Sequence, residues 1–138
     1  MTSGGMDVLG GPIRLEMSAV PDVLVTLSTK LTEVSGRVVR SSASQSTSPA
    51  RVIIFPKSER LRAFYCAFPS RKRVVQADVS FSGAFRAVLP PGEYLAAAIT
   101  GELPEFWMSP EYLLRLSPRA TGFRLALGDR ITVSLEAR

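Results

Sequence analysis

Side chains that ordinarily do catalytic work are scarce in this sequence. It contains no His, so a nucleophile activated by imidazole is excluded. Its single Cys, Cys66, permits no intrachain disulfide, and the usual ligands of zinc, copper or non-haem iron are missing. Cys66 stands among Phe64, Tyr65 and Phe68, where a buried, inert thiol is expected in preference to a nucleophile. Glu102 and Glu105 are the nearest approach to a carboxylate pair. Their spacing in a loop with Pro104 fixes no geometry for acid–base work, and solvated loop charges are the expectation. Asn is absent, which removes a common source of turn geometry and of hydrogen bonds to sugars or bases. The sequence therefore assigns no catalytic residue, no cofactor and no metal site, and it is expected not to be an enzyme.

Two groups of residues have the chemistry for binding. Arg71, Lys72 and Arg73 form a candidate anion patch, suited to a phosphate or an anionic headgroup. The chain carries a net charge of +5, and 14 of its 17 cations are Arg, scattered from Arg14 to Arg138. That scatter favours a solvated strand end over an anion site at 71–73. The second group is aromatic: Phe64, Tyr65, Phe68, Phe106, Trp107 and Tyr112, all within 56–73 and 101–120. Converging at one end of a sandwich, they would make a satellite core, which is the favoured expectation. Exposed, Tyr65, Phe106, Trp107 and Tyr112 would stack on a sugar ring or anchor a partner chain. Nucleic acid is not expected as a partner, because aromatic platforms for it sit on strand faces interleaved with Arg.

The elements that must position these residues are mostly strands. Residues 1–11 hold four Gly and read as a flexible lead. Short strands are expected over 12–17, 23–28 and 31–40. Gly36 inside the last of these marks a bulge or a close backbone approach. The polar, Ser-rich run 41–50 reads as an exposed loop. Arg51-Val52-Ile53-Ile54-Phe55 is continuously apolar and suits a central strand covered on both faces. A short helix follows, with Ser58 as its cap and Leu61, Phe64, Tyr65 and Phe68 at helical spacing. Further strands are expected over 73–78, 84–89, 94–99, 121–127 and 130–137, with Phe123, Leu125 and Leu127 inward in the fourth. Ser109-Pro110-Glu111 is a strong helix start, predicting a helix from Pro110 to about Leu116. The spacing predicts an all-β, antiparallel Ig-like sandwich of about seven to nine strands with one or two short helical insertions. Residues 12–138 would form that single domain, with 12–30 an added strand pair or the tail of a preceding domain. No apolar run approaches the roughly 20 residues of a membrane span, and the N-terminus lacks the pattern of a signal peptide.

Three motifs carry a resemblance. They are Val34-Ser35-Gly36-Arg37-Val38-Val39, Gly83-Ala84-Phe85-Arg86, and Leu89-Pro90-Pro91-Gly92-Glu93-Tyr94-Leu95. Together with the strand at 51–55 they resemble the carboxypeptidase regulatory-like domains, over about residues 31–100. The resemblance implies a transthyretin-like (prealbumin-like) sandwich in which Tyr94 locks the proline corner. It further implies a non-catalytic accessory module of a larger, exported bacterial protein, placed outside the cytoplasm. Its partners would be other domains of the same polypeptide or a separate protein, with carbohydrate or a small ligand as the alternative. A Lys–Asp isopeptide, known in related pilin modules, would have to use Lys30, Lys57 or Lys72, and is not expected.

Overall fold

The computed structural model describes residues 2–3, 6–7, 22–40 and 49–137. The chain divides into two compact units, Met1–Lys30 and Leu31–Arg138. In the first, β1 (Thr2–Ser3) pairs antiparallel with β2 (Met6–Asp7) and with β3 (Val23–Leu24). Strand pairing thus occurs within the stretch read as a flexible lead. The strand expected over 12–17 and the Ser-rich run 41–48 lie outside the described residues.

The second unit contains β4 (Glu33–Arg40), β5 (Ala50–Pro56), α1 (Glu59–Ala67), β6 (Val75–Asp78), β7 (Ala84–Val88), β8 (Gly92–Thr100), α2 (Pro110–Leu116), β9 (Thr121–Leu125) and β10 (Arg130–Ala137). The strands make one sheet in the order β6-β5-β8-β10-β4-β7, with β9 also paired to β8. A single bridge, Ala98 to Ala137, joins β8 to β10. The sheet folds over there, setting β7-β4-β10 across from β6-β5-β8-β9. The protein is mostly β with two short helices.

The sheet is mixed, which corrects the expected antiparallel arrangement. β10 runs parallel to β4 along its whole length, from Arg130 opposite Glu33 to Ala137 opposite Arg40. The cause is the turn after β9. The Glu33 N–H donates to Asp129 O at 2.8 Å, and the Gly128 N–H donates to Thr32 Oγ at 2.9 Å. β10 and β4 therefore start side by side and leave in the same direction. The turn also takes Leu127 out of β9, so that side chain is exposed and not inward as its spacing suggested.

Two cores follow from this folding. One lies between the two halves of the sheet and holds Val34, Val38, Val52, Ile54, Phe85, Leu89, Tyr94, Ala96, Leu125 and Leu135. The other lies between β5–β8 and the helices and holds Ile53, Phe55, Tyr65, Val74, Ala97, Ile99, Leu113 and Leu116. Consecutive residues of β5 alternate between the two, so both its faces are dry. That is why its sequence shows no polar alternation. Fully burying each large aliphatic side chain contributes roughly 1.5–3 kcal/mol, so the helical layer is an integral part of the fold.

Gly36 is the closest backbone approach in the first core. A Cβ there would stand 2.0 Å from Val133 O and 2.7 Å from Phe85 Cε1. The Phe85 ring occupies the space a side chain at Gly36 would need. Gly36→Ala is expected to destabilise the protein by about 3 kcal/mol through overpacking against backbone. Urea unfolding measures this, and an unchanged midpoint would contradict the close approach.

Candidate functional site

The helical layer gathers most of the residues with binding chemistry, and its frame is set by two buried arginines. β5 ends at Pro56, and the chain leaves the sheet between two apolar layers. The carbonyls of Pro56 and Lys57 lie at the point where the ladder ends, and they take a donor from a side chain. Arg62 supplies it. Its Nε donates to Pro56 O at 2.9 Å, its Nη2 to Lys57 O at 2.7 Å and its Nη1 to Ser117 Oγ at 2.9 Å. The guanidinium lies over the Phe55 ring, 5.3 Å from its centroid. Ser117 Oγ in turn donates to Leu113 O at 2.9 Å, so one side chain ties α1 to the end of α2.

Arg73 repeats the arrangement at the proline corner. Its Nη1 donates to Pro91 O at 2.9 Å and to Tyr94 Oη at 3.1 Å, and its guanidinium sits 5.4 Å from the Tyr65 centroid. The Tyr94 hydroxyl donates to Pro90 O at 2.7 Å. The two corner carbonyls, on residues that have no N–H of their own, are thereby both satisfied. Gly92 leaves room for this, since a Cβ there would lie 3.0 Å from Arg73 Nη1. Burial pushes the Tyr94 phenol up to about 12, against the opposing charge and hydrogen bond of Arg73. It stays protonated at neutral pH, as its donor role requires.

The candidate anion patch is therefore not a surface of three cations. Arg71 and Lys72 are exposed, but Arg73 is only 5% exposed and its guanidinium is engaged inside. Lys72 is the cause: its φ of 50° closes a short 3-10 turn over Pro69–Arg71 and sends the next side chain inward. Tyr65 is likewise buried, and this removes it as an external contact. Its neighbour Phe64 stacks edge-on to it at 5.0 Å and packs against Phe68 at 4.9 Å. Trp107 and Tyr112 are half-buried against the second core. Phe106, edge-on to Tyr112 at 6.0 Å, remains outside. The aromatic set thus lies over one face of β5–β8, and it is split between interior and surface.

The remaining candidates do not converge. Burial raises the Cys66 thiol above its usual value, the Glu111 carboxylate adds to the rise, and Arg62 opposes it. A thiol so placed is a poor nucleophile. Glu102 and Glu105 are exposed in the loop before α2. Lys30, Lys57 and Lys72 are all exposed. Among the described residues no group of three or more His, Cys, Asp or Glu could hold a metal. Among the described residues no helix is long and apolar enough to cross a membrane.

Sequence reasoning missed Arg62. The signal was present: it sits three residues before Tyr65 on the buried stripe of α1, where an Arg must have acceptors. It also missed the cleft between the helices, lined by Glu59, Arg62, Pro110, Glu111 and Leu114, because that depends on how α1 meets α2.

Fold and site together define a mostly β unit with a helical layer on one sheet face. The sequence matches no protein-family profile and no curated protein. Three solved structures are similar in outline. A DUF3823 family protein from Parabacteroides merdae is 15% identical with a TM-score of 0.43, covering 79% of this chain and 46% of that one. The Bacillus anthracis TIE protein is 16% identical with a TM-score of 0.40, covering 75% of this chain and 16% of that one. BcpA, the major pilin subunit of Bacillus cereus, is 8% identical with a TM-score of 0.40, covering 78% and 29%. The chain spans less than half the length of each of these.

The corner makes a direct prediction. Tyr94→Phe is expected to cost about 1–3 kcal/mol in urea unfolding, since Pro90 O loses its donor. The phenol is raised from 10.0 to about 12 in the fold. Its stabilising effect is complete below the unfolded value and is lost as pH rises through the folded one. The stability gap between the wild type and Tyr94→Phe should therefore narrow over that range. A gap constant with pH would mean the phenol is not buried.

Proposed function

We propose that this chain is a non-catalytic β-sandwich accessory module, carried by a larger exported bacterial protein, whose helical layer docks a protein partner. That partner is another domain of the same polypeptide or a separate chain. One observation carries the reading. The helical layer has its own complete core, yet three of its large apolar side chains remain outside: Phe68 is 51% exposed, Phe106 57% and Leu114 54%. Exposed aromatics of this kind serve as anchors in interfaces. The absence of His from the sequence and the consumption of Arg62, Arg73 and Tyr94 by backbone carbonyls support a role without catalysis.

A carbohydrate contact is the second reading, supported by the exposed Phe106 beside Tyr112. It draws less from Trp107, which is half-buried, and nothing from Tyr65.

Photo-crosslinking separates these. A photoreactive residue is placed at position 68 or 106, with position 132 on the outer face of β10 as control, and the full-length protein is irradiated in its native cells. Discrete protein adducts are expected from 68 and 106 and not from 132. No adducts, or equal adducts from all three, would sink the docking reading. A glycan array on the same protein tests the second reading: binding that is lost in Phe106→Ser would establish it.

A further inference from the structure

The acids of this basic chain are unevenly spread. Between Arg86 and Arg115 the sequence has no Lys or Arg, and it holds Glu93, Glu102, Glu105 and Glu111. Glu93 stands apart, opposite Arg124 on β9. The other three flank Phe106, the most exposed aromatic of the helical layer. A turn before α2 arranges this. The Trp107 N–H donates to Pro104 O at 3.0 Å, which places Glu105 and Phe106 at the two corners of the turn. Trp107 packs against the second core, while Glu105 and Phe106 stay outside. Glu102 is exposed two residues before the turn. Ser109 caps α2 and so fixes Glu111, also exposed, in the first helical turn, and Tyr112 meets the Phe106 ring edge-on. None of the three carboxylates is ion-paired with a described residue. Glu111 shares the cleft between the helices with Arg62, which offsets part of its charge, so Glu102 and Glu105 carry most of the field at this face. Among the described residues no group of acids gathers closely enough to hold a metal ion. The carboxylates flank an apolar anchor and do not converge on a point.

We propose that the Phe106 face binds a basic segment of a partner protein, one that sets Lys or Arg beside an apolar side chain. This rests on the docking reading above and names the chemistry of the partner. The partner's apolar side chain covers the Phe106 ring, and its cations meet Glu102, Glu105 and Glu111. Charge sign selects this class. The chain as a whole carries +5, so a basic segment is repelled by the overall field and drawn to this face. An acidic segment would meet three carboxylates around the anchor and is disfavoured. A bare cation would find no converging ligands and would leave Phe106 uncovered. The rim ion pairs add little affinity themselves; they set which partner docks and in which orientation, while Phe106 supplies the anchor. Phe68 has the opposite setting, just before the exposed Arg71 and Lys72, so the basic contact is confined to the Phe106 side.

The test is a ¹⁵N–¹H NMR titration of the full chain with two short capped peptides. One alternates lysine with leucine, and the other has glutamate in place of lysine. Saturable shifts at residues 102–112 are expected with the lysine peptide. They should weaken as salt is raised, because exposed charges are screened beyond about 10 Å at 0.1 M. The glutamate peptide should bind about tenfold more weakly, or worse. Glu102→Lys combined with Glu105→Lys changes only exposed loop positions, so the fold should be retained and the lysine peptide weakened about tenfold. Glu102→Gln with Glu105→Gln should give a smaller loss, and Phe106→Ser should remove the shifts with every carboxylate in place. Equal binding of the two peptides would overturn the proposal. So would lysine-peptide shifts unchanged in the double Glu→Lys variant, or no saturable shifts at millimolar peptide. If that last result accompanies discrete adducts from position 106, the docking reading stands and the basic partner falls; if the adducts are missing as well, both fall.

Discussion

The structure depends on one constraint: the central stretches of β5 and β8 are dry on both faces, and the proline carbonyls at their ends take their donors from within the protein. Proline sharpens the problem. Pro56 closes β5, and Pro90 and Pro91 precede β8. Prolines end a ladder cleanly because they have no N–H, but their carbonyls still need partners. Both places are solved alike. A buried arginine turns its edge to the proline carbonyl and lays its face on an aromatic ring of the second core, Arg62 on Phe55 and Arg73 on Tyr65. Guanidinium suits this double role, being planar, permanently charged and more weakly hydrated than an ammonium. Neither arginine is interchangeable with lysine.

This changes what the basic composition means. A net charge of +5 suggests an outward positive field, and the run Arg71-Lys72-Arg73 looks like its focus. Yet Arg73 belongs to the proline corner, and a left-handed Lys72 divides the run between surface and interior. Two of the arginines serve the backbone and offer little to a polyanion outside. Charge counted along a sequence overstates the surface charge wherever arginines replace water at strand ends.

Much of the architecture was legible because local rules and tertiary packing agree. Helix α2 spans Pro110–Leu116 as its sequence predicts, because Ser109 Oγ accepts from the Tyr112 N–H and Pro110 takes the first helical position. β10 shows its alternation, and β5 shows that it has none. The errors fall where non-local geometry decides. Parallel pairing of β10 with β4 is set by the Asp129–Glu33 contact between residues far apart in sequence. Leu127 keeps the period of β9, but a turn held by Asp129 Oδ2 on the Ala126 N–H takes it out. Arg62 looked like surface because a charged residue on an amphipathic helix usually is. Its acceptors become visible only once α1 is seen to fold back over the end of β5.

The two halves of the sheet differ in what covers their outer faces. The outer face of β7-β4-β10 carries Ser35, Arg37, Arg86, Thr132 and Ser134, with Arg86 ion-paired to Glu33. Val39 and Val88 are exposed on it, flanked by these polar groups. Such a face is stable in water without a covering layer. The opposite side of the sheet was apolar enough to need one, and α1 and α2 provide it. They do so with apolar surface left over: Phe68, Phe106 and Leu114 stay about half exposed on the outside of the layer. Surplus apolar surface on a layer whose own packing is complete costs solubility without improving stability. That surplus, on the helical side and not on the polar sheet face, is the observation on which the docking proposal rests.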